Sequence, residues 1–227
     1  MYKNITLSAS LINIDWLNVR SQLSELENAS LDYLHIDVID GNFVPDFTLG
    51  TSIINVIRKS TTLPFDFHFM VEEPSRLFNS FQVNKTDYFT IHQETSRNLH
   101  RDLVRIKKDK LSKVGVALTL ETPIDALEYI MEDVDLIVLM SMNVGYLEKQ
   151  EYPLLVKKVQ KLRKLITEYE LPIKIAVDCN ISFENIAEMV SSGADFLVLG
   201  SNVLFREDKS IAECMELLHK EIDQGLS

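Results

Sequence analysis

The sequence predicts an α/β fold built as a single (β/α)8 barrel, of the TIM type, and three observations point there. Short β-rich runs alternate with longer amphipathic runs from one end of the chain to the other. Strand–helix alternation implies parallel pairing, because parallel neighbours need a crossover between them. The 227 residues match the size at which eight such units close as one domain, residues 1–227. A doubly wound open sheet is the other architecture compatible with the same alternation.

The first strand is ITLSAS (5–10), followed by the amphipathic stretch WLNVRSQLSELEN (16–28). YLHIDV (33–38) is the second, and its period-two alternation separates Leu34, Ile36 and Val38 from Tyr33, His35 and Asp37. FDFHFM (65–70) and the helical pattern RLFNSF come next, then YFTIHQ (88–93) and LHRDLVRIKKDKL. VGVALT (114–119) leads to Thr122-Pro123, a helix start, since a hydroxyl accepts from free N–H groups and proline suits the first turn. DLIVLM (135–140) precedes PLLVKKVQKLRKLITEYE, and IKIAVD (173–178) precedes FENIAEMVSS. Ser182, with Glu184 close behind, begins that last helix, and Gly193 ends it. FLVLGS (196–201) is the eighth strand. No Pro/Gly/Ser-rich linker or low-complexity segment interrupts the series.

Composition narrows the function. Hydrophobic residues make up 46% and charged residues 25%, as in a soluble globular protein with a sizeable core. Lys plus Arg is 23 against 34 acidic residues, giving −11, which argues against a nucleic-acid or anionic-membrane partner. An anionic ligand must then be held by local donors against the overall field. Only Cys179 and Cys214 are present, in no metal or redox spacing, which suits a reducing cytoplasm. The N-terminus lacks the apolar core of a signal peptide.

In such a barrel, chemistry sits at the C-terminal ends of the strands. Those ends carry Ser10, His35, Asp37, His68, His92, Glu94, Asp178 and Ser201. Two imidazoles and two carboxylates, His35, Asp37, His68 and Asp178, form a candidate site for one divalent metal: Zn, Fe, Mn or Co rather than an all-oxygen ion. A single histidine on an apolar strand is ordinarily a hydrogen-bonded core residue. Four such groups at one mouth, however, would cost too much to desolvate without a cation.

LHIDVIDGNFVP, followed by FDFHFMVEEP, LIVLMSMN, IAVDCN and LVLGSNVLF, resembles the ribulose-phosphate 3-epimerase family in order and spacing. His35, Asp37, Asp40, Gly41, Phe43, Val44 and Pro45 match the family's most specific motif. The resemblance implies a metal-dependent, cytoplasmic isomerase of pentose phosphate metabolism, an epimerase interconverting D-ribulose 5-phosphate and D-xylulose 5-phosphate. By position, His35, Asp37, His68 and Asp178 would hold the metal, and Asp37 and Asp178 would be the acid/base pair. Ser10, His68, Met70 and Met140 would touch the substrate; Gly145, Gly200 and Ser201 would meet its phosphate. A sugar phosphate is thus the expected partner. Family members also associate, which allows a homo-oligomer to which an apolar residue such as Trp16 could contribute. His92 and Glu94 match the family as well and are expected to make structural hydrogen bonds.

The chain departs from the family around the phosphate. The loop after the sixth strand, Asn143 to Tyr152, carries Val144, Leu147, Glu148 and Lys149 where the family has proline and glycines. After the seventh strand, Asp178-Cys179-Asn180 replaces aspartate-glycine-glycine. Asn180 is expected to tolerate left-handed geometry and Cys179 less readily, with Lys149 or Arg206 compensating for lost donors. Two further readings stay open: a paralogue acting on another ketose phosphate, such as a six-carbon one, and a non-catalytic sugar-phosphate-binding barrel.

Overall fold

The computed structural model describes residues 5–110, 112–141 and 152–227. Eight parallel strands run β1 (Thr6–Ser10), β2 (Tyr33–Ile39), β3 (Phe65–Met70), β4 (Tyr88–His92), β5 (Lys113–Leu118), β6 (Leu136–Met140), β7 (Lys174–Asp178) and β8 (Phe196–Leu199). They pair in chain order, and β8 closes on β1, so the sheet is a barrel and the open-sheet alternative falls. Every strand lies within two residues of where period-two alternation placed it.

The described helices are α1 (Val19–Asn28), α2 (Thr51–Ser60), α3 (Leu99–Lys110), α4 (Tyr152–Glu168), α5 (Phe183–Ser191) and α6 (Ile211–Leu226). After β3 and β5 the expected α-helices are 3-10 turns instead, at Pro74–Arg76, Ile124–Leu127 and Met131–Asp133. RLFNSF spans under two turns, too short to recover the cost of nucleating a helix. Ser182 and Gly193 bracket α5 as expected. The Ser182 N–H donates to the Asn185 side chain at 3.1 Å, and Gly193 takes φ 112° just past the helix.

Alternation sorts each strand into two environments. Outward residues, such as Leu34, Ile36, Phe67 and Phe69, join the helices in one large core. Inward residues, Tyr33, Tyr88, Leu136, Val138, Met140 and Phe196 among them, fill the interior. The Tyr33, Tyr88 and Phe196 rings plug its floor at centroid distances of 5.3–5.7 Å. At the lower edge, Asp87 accepts from the Phe65 N–H at 2.8 Å and pairs with Arg58 at 2.6 Å, fixing where β3 begins. Lys113 donates to the Tyr33 hydroxyl at 2.8 Å at that end, and the histidine and aspartate groups lie above the rings. Register then sets Ser10 beside His35, Asp37 beside His68 and Met140 beside Asp178.

Candidate metal and substrate site

His35 and Asp37 project inward from β2, His68 from β3 and Asp178 from the end of β7. All four are buried, and one ligand atom from each lies within 4.8 Å of the others. His35 Nε2 stands 3.1 Å from Asp37 Oδ1 and 3.6 Å from Asp178 Oδ2. His68 Nδ1 stands 3.2 Å from Asp178 Oδ2 and 3.8 Å from Asp37 Oδ1. Ligands bound tetrahedrally at roughly 2.0–2.2 Å sit about 3.3–3.6 Å apart, so these spacings suit one ion. His68 Nδ1 is buried and has no hydrogen-bond partner among the described residues, although it faces two carboxylates. A bare nitrogen aimed at a carboxylate pair is what a metal ligand looks like before its ion is added. The residues present fit a divalent cation.

A second layer anchors the first. His35 Nδ1 lies 2.7 Å from Asp66 Oδ2, which also accepts from Ser8 Oγ at 3.3 Å. Donation from Nδ1 to Asp66 turns Nε2 toward Asp37 and Asp178, as a metal ligand would need. Asp66 is absent from the residues that the sequence singles out, yet its signal is there: it shares parity with His68 in FDFHFM and must point the same way. His68 Nε2 meets His92 Nε2 at 2.9 Å, and His92 Nδ1 meets Glu94 Oε2 at 3.0 Å. His92 and Glu94 thus do form the expected hydrogen bonds.

Electrostatics follow from burial and neighbours. Burial works against a charged His35, but Asp37, Asp66 and Asp178 overcome it and hold its pKa well above the usual value. Burial pushes Asp178 up, yet His35 and His68 bring it to about 2. Burial takes His92 down to about 4, so its ring is neutral. Burial, and then Asp178 and Asp37, raise Cys179 far above the ordinary thiol range, so it stays an uncharged thiol.

Above the cluster opens a cavity of about 420 Å³, lined by Ser10, Asp37, Met70, Asp178, Gly200 and Ser201 among others. Ser10 Oγ donates to Asp37 Oδ2 at 3.0 Å, and the Cys179 N–H donates to Asp178 Oδ1 at 2.6 Å. Each carboxylate therefore has one oxygen toward the histidines and the other bonded to a residue that lines the cavity. Met140 is fully buried within the barrel and is not among the described residues lining the cavity. Gly145, like Val144, Leu147, Glu148 and Lys149, lies outside the described residues. Arg206 pairs with Asp208 at 2.8 Å on the surface.

Two loops complete the rim. Asp40 accepts from the N–H groups of Asn42, Phe43 and Glu72 at 3.0–3.3 Å, and Gly41 turns at φ 77° where an added Cβ would sit 2.4 Å from the Phe47 ring. That turn brings Phe43 to 4.8 Å from the His92 ring. After β7, Cys179 and Asn180 are both left-handed, at φ 69° and 49°. Cys179 adopts this geometry because its carbonyl accepts from Ser141 Oγ at 2.7 Å while its N–H is held by Asp178. Asn13, Asn180 and Asn202 place side-chain amides at the same end of the cavity, and of these the sequence motifs point only to Asn180. Beside the mouth, Ile12, Trp16, Leu17 and Phe47 are exposed apolar residues. No helix among the described residues is long and apolar enough to cross a membrane.

A family model described as the ribulose-phosphate 3 epimerase family matches residues 6–204. A ribulose-phosphate 3-epimerase of Methanocaldococcus jannaschii is 35% identical over 92% of this chain and 88% of its own. One from Bacillus subtilis is 32% identical over 92% of this chain and 96% of its own. The Arabidopsis thaliana chloroplastic ribulose-5-phosphate-3-epimerase is 34% identical over 90% of this chain and 73% of its own. Among solved structures, phosphoribosyl anthranilate isomerase from Thermococcus kodakaraensis superposes with a TM-score of 0.65 at 14% identity, covering 96% of this chain and 98% of its own. Identity that low supports the barrel fold alone.

Proposed function

Since the chain belongs to the ribulose-phosphate 3-epimerase family, we propose that it is a metal-dependent epimerase inverting C3 of a ketose phosphate. D-ribulose 5-phosphate and D-xylulose 5-phosphate are the default pair. The observation that carries the reading is the convergence of His35, Asp37, His68 and Asp178, all buried, beneath a sugar-sized cavity. A divalent ion held by these four supplies positive charge beside oxygens that become anionic when the C3 proton leaves.

Inversion next to a carbonyl removes a proton on one face and returns one on the other, so two acid/base groups must flank the substrate plane. Asp37 enters from β2 and Asp178 from β7, and their oxygens not facing the histidines are Oδ2 and Oδ1 respectively. Asp37 works from one face and Asp178 from the other. Ser10 and the Cys179 N–H keep those oxygens oriented, while Met70 offers an apolar wall that keeps water from the reacting carbon. The phosphate lies toward Gly200 and Ser201, and Gly145 is the further donor that the family motif assigns to it. This makes a small sugar phosphate the partner, and the assignment carries a cytoplasmic location with it.

One observation favours a second substrate reading. The left-handed turn after β7 is built from Cys179 and Asn180, and the nearby amides of Asn13 and Asn202 occupy room that smaller side chains would leave. A longer ketose phosphate would set its phosphate differently against such a wall. A turnover screen across five- and six-carbon ketose phosphates, with metal content measured in parallel, decides between them. Asp178→Asn should lower epimerisation by at least ~10²-fold, the usual effect of losing a general acid or base. One-sided exchange of the C3 proton with deuterated water should survive through Asp37. Near-normal turnover in that variant would remove Asp178 from the proton path.

A further inference from the structure

We propose that Glu94 and His92 are positioning residues that decide which nitrogen of His68 carries hydrogen, and so whether His68 can hold the metal; the inference rests on the metal reading above. The chain of contacts has a direction. Glu94 Oε1 accepts from the Thr119 N–H at 2.8 Å, from Thr119 Oγ1 at 3.1 Å and from the Thr122 hydroxyl. Glu94 Oε2 faces His92 Nδ1 at 3.0 Å. A carboxylate can only accept, so His92 donates from Nδ1 and its Nε2 is bare. His68 must therefore donate from Nε2 across the 2.9 Å contact, and its Nδ1 is left bare toward Asp37 and Asp178. Among neutral imidazoles, the form a metal ligand needs, each link admits one arrangement once the carboxylate is in place.

The far end of the relay is itself anchored. Lys158, buried on α4, donates to the carbonyls of Thr119 at 2.6 Å and Leu120 at 3.2 Å. That holds the turn after β5 whose N–H and hydroxyls grip Glu94. Phe43 packs its ring at 4.8 Å from His92. The relay thus ties the ligand on β3 to the β5 turn and, through Lys158, to α4.

Glu94→Gln reverses the chain almost without changing its shape. The Thr119 N–H can only donate, so the amide oxygen must take the Oε1 place. The amide NH2 is then forced toward His92 Nδ1. His92 must accept there and donate from Nε2, so His68 accepts on Nε2 and carries its hydrogen on Nδ1, where the ion should be.

The test uses the full chain with zinc as probe. In zinc-loaded wild-type protein, imidazole ¹⁵N correlation spectra should show hydrogen on His68 Nε2 and His92 Nδ1; the opposite assignment overturns the proposal without any variant. Zinc affinity, measured by chelator competition, should fall about ten-fold or more in Glu94→Gln, as losses of outer-layer partners do. His92→Phe, which keeps a ring but offers no acceptor, should lose a similar factor. Wild-type affinity in both variants, with wild-type zinc binding intact, would overturn the relay alone. Failure of the wild-type chain to take up any divalent ion would instead sink the metal reading and the relay with it.

Discussion

Asp66 is the most instructive residue to perturb, because its carboxylate is buried one layer behind the ligands. It is 1% exposed, its Oδ2 accepts from His35 Nδ1 at 2.7 Å, and its Oδ1 has no partner among the described residues. Asp66→Asn keeps the volume and offers two placements, neither as good. With the oxygen toward His35, a charge-assisted bond becomes a neutral one, a difference of roughly 1–1.5 kcal/mol. The NH2 is then buried where Oδ1 had no partner, which lowers stability by about 1–3 kcal/mol. With the NH2 toward His35, the imidazole must carry its hydrogen on Nε2 and stop ligating. Zinc affinity is therefore expected to fall about ten-fold to a hundred-fold. The two losses together are about 2–4.5 kcal/mol, so the metal-free melting midpoint should drop by about 4–18 °C, taking roughly 2–4 °C per kcal/mol at this size. Chelator competition and thermal melts with and without zinc measure both quantities. Ser8→Ala, which removes only the 3.3 Å contact to the same carboxylate, serves as control and should change affinity little. An Asp66→Asn protein that binds zinc like the wild type would refute the argument that His35 is oriented from behind.

Three further outcomes are expected. In metal-free protein between about pH 6.5 and 8, stability should fall as pH rises, because His35 keeps a proton in the fold that the unfolded chain releases, up to ~1.4 kcal/mol per pH unit. His35→Asn should flatten that slope, and zinc affinity in the wild type should rise over the same range. Gly115→Ala would set a Cβ 2.1 Å from Thr90 Oγ1 and 2.9 Å from Thr90 Cβ inside the barrel, lowering stability by about 1–3 kcal/mol. Adding Thr90→Ala should recover part of the loss in a thermal melt. Finally, ribulose 5-phosphate kinetics beside the Bacillus subtilis relative should show a raised KM with comparable kcat, since Asp37 and Asp178, the proposed acid/base pair, both line the cavity and the altered positions are proposed to act on binding; a KM as low as the relative's would show the anion grip is whole.

The ligand half of the site is legible in the sequence because it is written in side chains. On a strand, parity alone decides which residues share a face, so the alternation of YLHIDV and FDFHFM is enough to group His35 with Asp37 and to set His68 beside them. Asp66 obeys the same rule, but FDFHFM draws attention to its histidine, and a lone acid between two phenylalanines gives no hint of a partner 31 residues away. The two missing helices mislead for the opposite reason. RLFNSF and the segment after Pro123 have helical patterning but too little length, and patterning says nothing about whether a nucleus forms.

The anion end is written largely in backbone, and that is why sequence alone describes it least well. Whether Cys179 can turn left-handed depends on an energy of about 1–2 kcal/mol that a non-glycine residue must recover from its surroundings. The recovery comes from Ser141, on a neighbouring strand end, and from Asp178, the residue just before. Neither bond is implied by the residue type at 179. The same pair of bonds has a consequence for chemistry, since the N–H that fixes the turn is the one that orients the outer oxygen of Asp178. The turn that shapes the anion end and the carboxylate assigned to proton transfer are thus held by one hydrogen bond. Changes to the turn are therefore expected to reach the reacting carbon as well as the anion.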